Sequence, residues 1–145
     1  MVIPERLLVS VKKIQDTILI CAPVISQYAA IGALQAGVAY CKSQLASILE
    51  VRKLFLKELE AINPFCAVPT AAGAFYFLLR LQTDWKPMDL VEKLVRDHRV
   101  AVIPGTTFGL ERGCYLRVAY GALQKDTAVE GIGRLVRGLK GLVEG

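Results

Sequence analysis

Apolar residues of this chain recur at helical spacing in five stretches. In several shorter stretches they follow one another directly or alternate with polar residues. Spacings of three and four residues predict amphipathic helices, and short β-branched or aromatic runs bounded by Gly or Pro predict strands. The predicted order is three helices, one or two strands, a helix, two strands and a final helix. This order indicates an α+β fold in which helices cover one side of a small, mainly antiparallel sheet.

The first three predicted helices begin at Pro4, Val24 and Ser43. Residues 17–41 include no charged residue, which raises the question of a membrane span. Proline, glycine and glutamine within that stretch argue against a span, and a helix buried between two domains or subunits explains it better. On the third helix, the charged residues, Arg52 among them, are expected to face solvent.

Four apolar runs predict the strands, at residues 65–68, 74–81, 100–103 and 114–120. A helix over residues 88–98 precedes the third strand, and another begins near Asp126 and ends the chain. The only histidine, His98, falls at the end of the former helix, where an imidazolium interacts favourably with the helix dipole. No nucleophile motif accompanies it, so a structural role is predicted.

The last predicted strand contains one charged residue, Arg117. Alternation places Arg117 on the face opposite Leu116 and Val118. One interpretation is that Arg117 points to solvent from a half-exposed sheet, as most charged residues do. The other is that a guanidinium on a rigid strand binds a carboxylate through two parallel hydrogen bonds. Residue chemistry alone leaves both open.

A length of 145 residues, with 54% hydrophobic and 21% charged residues, indicates one domain with a real core and excludes intrinsic disorder. The mean hydropathy of +0.43 is high, so part of the apolar surface is expected to lie against a partner. The net charge of +5 comes from basic residues scattered along the chain. Because they form no aromatic–basic cluster, no nucleic-acid partner is expected.

The cysteines number four and are spaced too widely for a zinc site, so no metal is predicted: Cys21, Cys41, Cys66 and Cys114. Each lies in an apolar neighbourhood, where a free cysteine behaves as a small buried hydrophobic residue. The N-terminus has no apolar core preceded by positive charge, so no signal peptide is expected. A reducing, cytoplasmic location is therefore predicted.

Three segments occur in order before the terminal amphipathic helix: GAFYFLLRL at residues 73–81, VAVIPGTTFG at 100–109 and YLRVAYG at 115–121. Together they resemble the C-terminal part of the class I/II aminotransferases, which are pyridoxal-phosphate-dependent enzymes of the aspartate aminotransferase fold, fold type I. The similarity runs across nearly the whole chain. Residues 13–34 resemble the aromatic-amino-acid-type members most.

The resemblance implies roles for individual residues. In that family the Arg of the Leu-Arg-Val segment binds the substrate α-carboxylate, and that position here is Arg117. Phe75 falls in a Gly-X-Phe pattern at the pocket wall, and Thr106 and Phe108 fall in a loop that approaches the substrate, so these three are further substrate-binding candidates. For both phenylalanines, core packing is the alternative. Cys21 and its neighbour replace the family's usual Ser or Asn, which argues against a polar role for that loop.

The resemblance also implies that residues 1–41 are interdomain or interface helices and that 42–145 form the C-terminal small domain. It implies pyridoxal phosphate as cofactor, amino-acid and 2-oxo-acid substrates, and a homodimer. No lysine here has the sequence context of the lysine that binds the cofactor covalently, and the nearest imitation, Lys42, is interpreted as a surface residue. The chain is thus expected to contain no catalytic or cofactor-binding residue and to be inactive alone.

Two alternatives remain at this point. A pyridoxal-phosphate-dependent lyase or synthase of the same fold type would keep the same carboxylate-binding arginine. A non-catalytic dimerisation module would instead exist as a stable, folded chain of this length, whereas an enzyme fragment would expose apolar surface and self-associate.

Overall fold

A computed structural model of the chain describes residues 2–121 and 124–145. Residue 1, the first residue of the predicted helical segment 1–41, lies outside the described residues. The chain divides into two units, Met1–Ser43 and Gln44–Gly145.

The first unit is helical. A 3-10 turn at Glu5–Leu7 leads into α1, Leu8–Ile18, and after a bend α2 begins. No residue between 2 and 43 is buried, and many of its large apolar side chains are exposed. In the described part of the chain, no helix is long and apolar enough to cross a membrane.

Helix α2 spans Val24–Leu59, where the sequence pattern predicts two helices. One residue inside it, Gly37, departs from helical geometry, with φ 63° and ψ −162°. A positive φ of this size suits glycine, which has no Cβ. The predicted interruption therefore exists, but it lies a few residues earlier than the sequence indicates. A 3-10 turn, Glu60–Ile62, follows α2.

The second unit contains a four-stranded sheet in the order β1-β2-β4-β3, and every strand pair is antiparallel. The strands are β1, Cys66–Ala67; β2, Tyr76–Leu81; β3, Ile103–Pro104; and β4, Cys114–Ala119. The helices are the end of α2, α3 at Pro87–His98 and α4 at Lys125–Val143. The predicted α+β class with a small antiparallel sheet is confirmed.

One face of the sheet packs on the helices. Alternate residues of the two central strands are buried there: Phe77, Leu79, Leu81, Cys114, Leu116 and Val118. Apolar side chains of the three helices complete the core, as period-two strands and helical stripes require. The opposite face carries the intervening residues of β2 and β4, which are half-buried or exposed.

The predicted strand over residues 100–103 is wrong in its first part, because only Ile103 and the residue after it pair with β4. Arg99 ends α3 in the left-handed conformation, with φ 53° and ψ 41°. The Val100 N–H then donates to the Leu94 carbonyl at 3.2 Å. That N–H is used to cap the helix and is not available to a strand ladder.

The cysteines divide between the two units. Cys66 and Cys114 are buried, and desolvation raises the pKa of the Cys66 thiol to about 12 and raises that of Cys114 as well. Both therefore remain protonated near neutral pH and act as small hydrophobic residues, as predicted. The same prediction is wrong for Cys21 and Cys41, which are exposed because the first unit has no buried interior among its described residues.

Helices α3 and α4 approach closely at Gly138, where a Cβ would lie 2.8 Å from both His98 Cγ and Leu94 Cδ2. His98 thus occupies a packing position. Because the new methyl group would push the helices apart, Gly138→Ala is expected to lower the free energy of unfolding by about 1–3 kcal/mol. Urea unfolding followed by the fluorescence of Trp85, the only tryptophan, measures this change.

Gly131→Ala is the matched control, since it adds the same group to the interior of α4 where nothing lies within 4 Å of the new Cβ. Alanine favours the helix over glycine, so this variant is expected to be more stable by about 0.5–1 kcal/mol. Equal changes in the two variants would contradict the close contact at Gly138.

Candidate functional site

Arg117 lies on β4, one of the two central strands, and its side chain points away from the core. Its partners in the sheet are Leu78 on β2 and Ile103 on β3. Pairing on both sides holds the Arg117 backbone rigidly, and the side chain is half-buried. The strand therefore presents one guanidinium at the middle of the free sheet face.

Aromatic rings surround this guanidinium. The Arg117 Cζ lies 4.3 Å from the centroid of the Tyr76 ring and 5.5 Å from that of the Phe108 ring. Phe75 contacts Tyr76 edge-on, with 5.9 Å between the centroids and an interplanar angle of 88°. The π-faces attract the cation and restrict its position. We call Phe75, Tyr76, Phe108 and Arg117 the arginine–aromatic cluster.

The charge of Arg117 is not neutralised within residues 2–121 and 124–145. There its guanidinium forms neither a hydrogen bond nor an ion pair with another side chain. The ion pairs found in those ranges join other groups: Lys93–Asp97, Arg96–Glu92, Lys125–Glu50 and Arg134–Glu130. The N–H donors of Arg117 are thus available to an anion, and the fork geometry of a guanidinium matches a carboxylate.

The structure brings together three of the four residues singled out in the sequence. Arg117 and Phe108 are in direct contact, and Phe75 joins them through Tyr76. Thr106 lies in the same 3-10 turn as Phe108, Gly105–Phe108; it is exposed, and its hydroxyl forms no hydrogen bond to any described residue. The exposed fractions of Phe75 and Phe108 are 54% and 51%, so neither packs in the core of this unit.

Glycine at position 105 allows this turn to reach Arg117. A Cβ there would lie 2.5 Å from the Tyr115 Cβ and 3.3 Å from the Tyr115 carbonyl oxygen. Only a residue without a side chain lets the turn lie directly against β4. The same 3-10 turn places Phe108 beside the guanidinium of Arg117.

Two residues of this region were not identified from the sequence. Tyr76 lies nearest to Arg117, but its place depends on the register that pairs it with Ala119, and no sequence pattern indicates that register. Arg52, expected to face solvent, is half-buried and donates from Nη2 to the Ala71 carbonyl at 2.8 Å. Its Cζ lies 5.5 Å from the centroid of the Phe77 ring. Through Arg52, α2 therefore contacts both β2 and the segment before it.

A separate cavity of about 270 Å³ lies between α4 and residues 99–102. Its floor is apolar, and Arg134 at its edge already pairs with Glu130 and donates to the Arg99 carbonyl. Arg134 is thus neutralised within the protein, and the other arginine of the lining, Arg99, is exposed on the loop after α3 and does not lie on a paired strand, so this cavity is a weaker anion site than Arg117. In the ranges that the structure describes, no group of three or more His, Cys, Asp or Glu residues could hold a metal ion.

The sequence profile of a known family, described as aminotransferase class I and II, matches residues 1–135. The chain therefore belongs to the class I and II aminotransferases. Among curated proteins, it is 34% identical over 135 residues to the aromatic aminotransferase ISS1 of Arabidopsis thaliana, covering 90% of this chain and 33% of that protein. It is 30% identical to the putative aminotransferase YugH of Bacillus subtilis, covering 81% of this chain and 30% of that protein.

Solved structures agree with this assignment. The aromatic aminotransferase of Pyrococcus horikoshii superimposes with a TM-score of 0.70 at 28% identity, covering 90% of this chain and 35% of that one. LysN, the α-aminoadipate aminotransferase of Thermus thermophilus complexed with N-(5'-phosphopyridoxyl)-L-leucine, superimposes with a TM-score of 0.78 at 24% identity. This match covers 98% of this chain and 37% of that one, and it shows a similarity of fold. The chain spans about one third of the length of the relatives it matches.

Proposed function

We propose that the whole protein is a pyridoxal-phosphate-dependent aminotransferase of amino acid metabolism, which moves an amino group between an amino acid and a 2-oxo acid, and that Arg117 binds the α-carboxylate of the substrate. One observation carries the role of Arg117. A half-buried guanidinium stands on a central strand, lies over two aromatic rings and has no carboxylate partner among residues 2–121 and 124–145. Membership of the aminotransferase family supports the reaction type.

In this proposal two N–H groups of Arg117 donate to the two carboxylate oxygens of the substrate. The rings of Tyr76 and Phe108 limit the rotation of the guanidinium, so that the bound carboxylate takes one orientation. Fixing one end of the substrate aligns the reacting Cα with its reaction partners, which lowers the entropic part of the barrier. Phe75, which contacts Tyr76, and Thr106, in the turn that carries Phe108, would contact the rest of the substrate.

The residues of this chain do not account for the covalent attachment of the cofactor. Each lysine of the chain is exposed, and Lys93 and Lys125 pair with nearby carboxylates. We therefore assign no step through pyridoxal phosphate to these residues. Their contribution is to bind and orient the substrate carboxylate, and the cofactor lysine is expected elsewhere in the whole protein.

We further propose that residues 1–41 are interdomain or interface helices, that 42–145 are the small domain, and that the protein is a cytoplasmic homodimer. The exposed apolar side chains of the first unit support an interface, since soluble monomers rarely expose large apolar patches. The four free thiols support a reducing compartment.

Expression of the longest reading frame that contains this chain, beside the 145-residue chain, tests the proposed reaction. With pyridoxal phosphate, the long form is expected to show a visible absorbance band that changes when an aromatic or acidic amino acid is added and returns with a 2-oxo acid. The 145-residue chain is expected to show neither effect. Elimination or condensation products in place of amino transfer would overturn the proposal in favour of a lyase or synthase. A long form without a band would favour the non-catalytic module.

A further inference from the structure

The segment just before β2 is tied to the segment just after β4 through one residue. The buried hydroxyl of Tyr120 donates to the Ala74 carbonyl at 3.1 Å, and the Tyr120 backbone N–H donates to the Phe75 carbonyl at 2.9 Å. The next residue, Gly121, lies so close that a Cβ there would be 2.8 Å from Phe75 Cγ. These contacts fix the backbone of Ala74 and of Phe75, the first residue of the arginine–aromatic cluster along the chain.

The tied segment holds an unfavourable backbone conformation. Ala74 has φ +65°, in the left-handed region, where the Cβ of an L-residue crowds the following carbonyl. Such a conformation persists only where surrounding contacts impose it. The carbonyl of this residue is the group that the Tyr120 hydroxyl binds.

Packing of the Tyr120 ring in the core sets the direction of its hydroxyl. Only 1% of the Tyr120 surface is exposed, and its ring lies 4.9 Å from the Phe77 ring and 5.8 Å from the Phe55 ring, centroid to centroid. The ring is thus fixed by β2 and α2, and its hydroxyl reaches out of the core to the segment before β2. The Tyr120 side chain thus connects the sheet core to the segment that precedes the cluster.

We propose that Tyr120 is a positioning residue for the carboxylate site. Its hydroxyl holds Ala74 in the left-handed conformation, which directs Phe75 and Tyr76 toward Arg117 and so limits the positions of the guanidinium. This inference rests on the proposed function, since it concerns the same site. Nothing in it requires Tyr120 to touch the substrate.

Tyr120→Phe in the longest reading frame keeps the ring and removes the hydroxyl. Loss of this hydrogen bond is expected to raise KM for the amino acid roughly three- to tenfold. Because Arg117 remains present and the chemistry is unchanged, kcat is expected to stay within about twofold. The matched control is Tyr115→Phe on β4, whose hydroxyl forms no hydrogen bond within the described residues, and its KM is expected to stay unchanged.

Adding Ala74→Gly to the Tyr120→Phe variant tests whether the hydroxyl acts through the backbone conformation of residue 74. Glycine adopts a positive φ without strain, so the KM of the double variant is expected to return most of the way to that of the unaltered protein. Because relief of the strained φ of Ala74 also favours the folded state, the urea midpoint of each variant is measured beside KM, and a purely structural role of Tyr120 predicts a lower midpoint with an unchanged KM. Gly121→Ala, which displaces Phe75 and leaves the hydroxyl in place, is a second route to the same rise in KM.

The outcomes distinguish the two proposals. Amino transfer by the unaltered protein, loss of transfer on removing Arg117, and an unchanged KM in both Tyr120→Phe and Gly121→Ala would overturn the positioning role alone. A rise in KM that Ala74→Gly does not reverse would also overturn it. An unaltered protein without amino transfer would overturn the proposed function, and the positioning role with it.

Discussion

Arg117→Leu in the longest reading frame is expected to lower kcat/KM for the amino-acid substrate by about a hundredfold to a thousandfold, or about 3–4 kcal/mol. The variant removes the two N–H donors that we propose for the carboxylate and would leave the substrate charge unpaired beside the Tyr76 and Phe108 rings. Steady-state kinetics with one amino acid and one 2-oxo acid measure the loss. The effect is expected on both KM and kcat, because an unanchored substrate also loses its alignment.

Arg117→Lys keeps the charge and loses the planar pair of donors, so its activity is expected to fall between that of the Leu variant and the unaltered protein. Arg80→Gln is the matched control. Arg80 lies on the same sheet face, two strand residues from Leu78, and it is exposed. Equal losses in the Arg80 and Arg117 variants would indicate a general effect of positive charge and contradict a specific carboxylate site.

Leu116→Ala is expected to lower the free energy of unfolding by about 2–5 kcal/mol, the largest stability change that we predict. Leu116 is fully buried on β4, beside Leu79 on one strand and Pro104 on the other. Because both neighbouring strands fix its surroundings, the cavity left by the missing atoms has little room to collapse. The urea midpoint of the 145-residue chain, followed by the fluorescence of its one tryptophan, measures the change.

Trp85 is well placed for this measurement, because its indole N–H donates to the Leu142 carbonyl at 2.9 Å and thereby joins the loop after β2 to α4. Val129→Ala, at a 47% exposed position of α4, is the control and is expected to stay within about 0.5 kcal/mol of the unaltered chain. A Leu116→Ala chain as stable as this control would contradict the buried position of β4.

The sequence predicts local features of this protein well. Alternation along residues 114–120 correctly assigns Leu116 to the core and Arg117 to the other face, because a strand has a period of two whatever its neighbours are. Apolar stripes correctly predict α3 and α4. These features depend on one segment at a time, and the family resemblance, confirmed by the match to residues 1–135, adds the order of the segments.

Features that depend on two segments were not predictable in this way. Tyr76 reaches Arg117 only because β2 pairs with β4 in one register, and Tyr120 reaches Ala74 for the same reason. The failure at residues 100–102 has a different cause, since capping of α3 competes for the Val100 N–H. Apolar composition likewise predicts burial for Cys21, which is exposed because no described residue of its unit is buried.

The strand order has a consequence for when the arginine–aromatic cluster forms during folding. β2 and β4 are neighbours in space, but α3 and β3 lie between them in the sequence. The chain must therefore close a long loop before Tyr76 meets Arg117, and pairings of this kind form slowly. No partly folded chain with β2 and β4 apart contains the cluster. If the cluster binds a carboxylate as we propose, the ligand stabilises the paired sheet by mass action, and the free energy of unfolding is expected to rise with the ligand concentration.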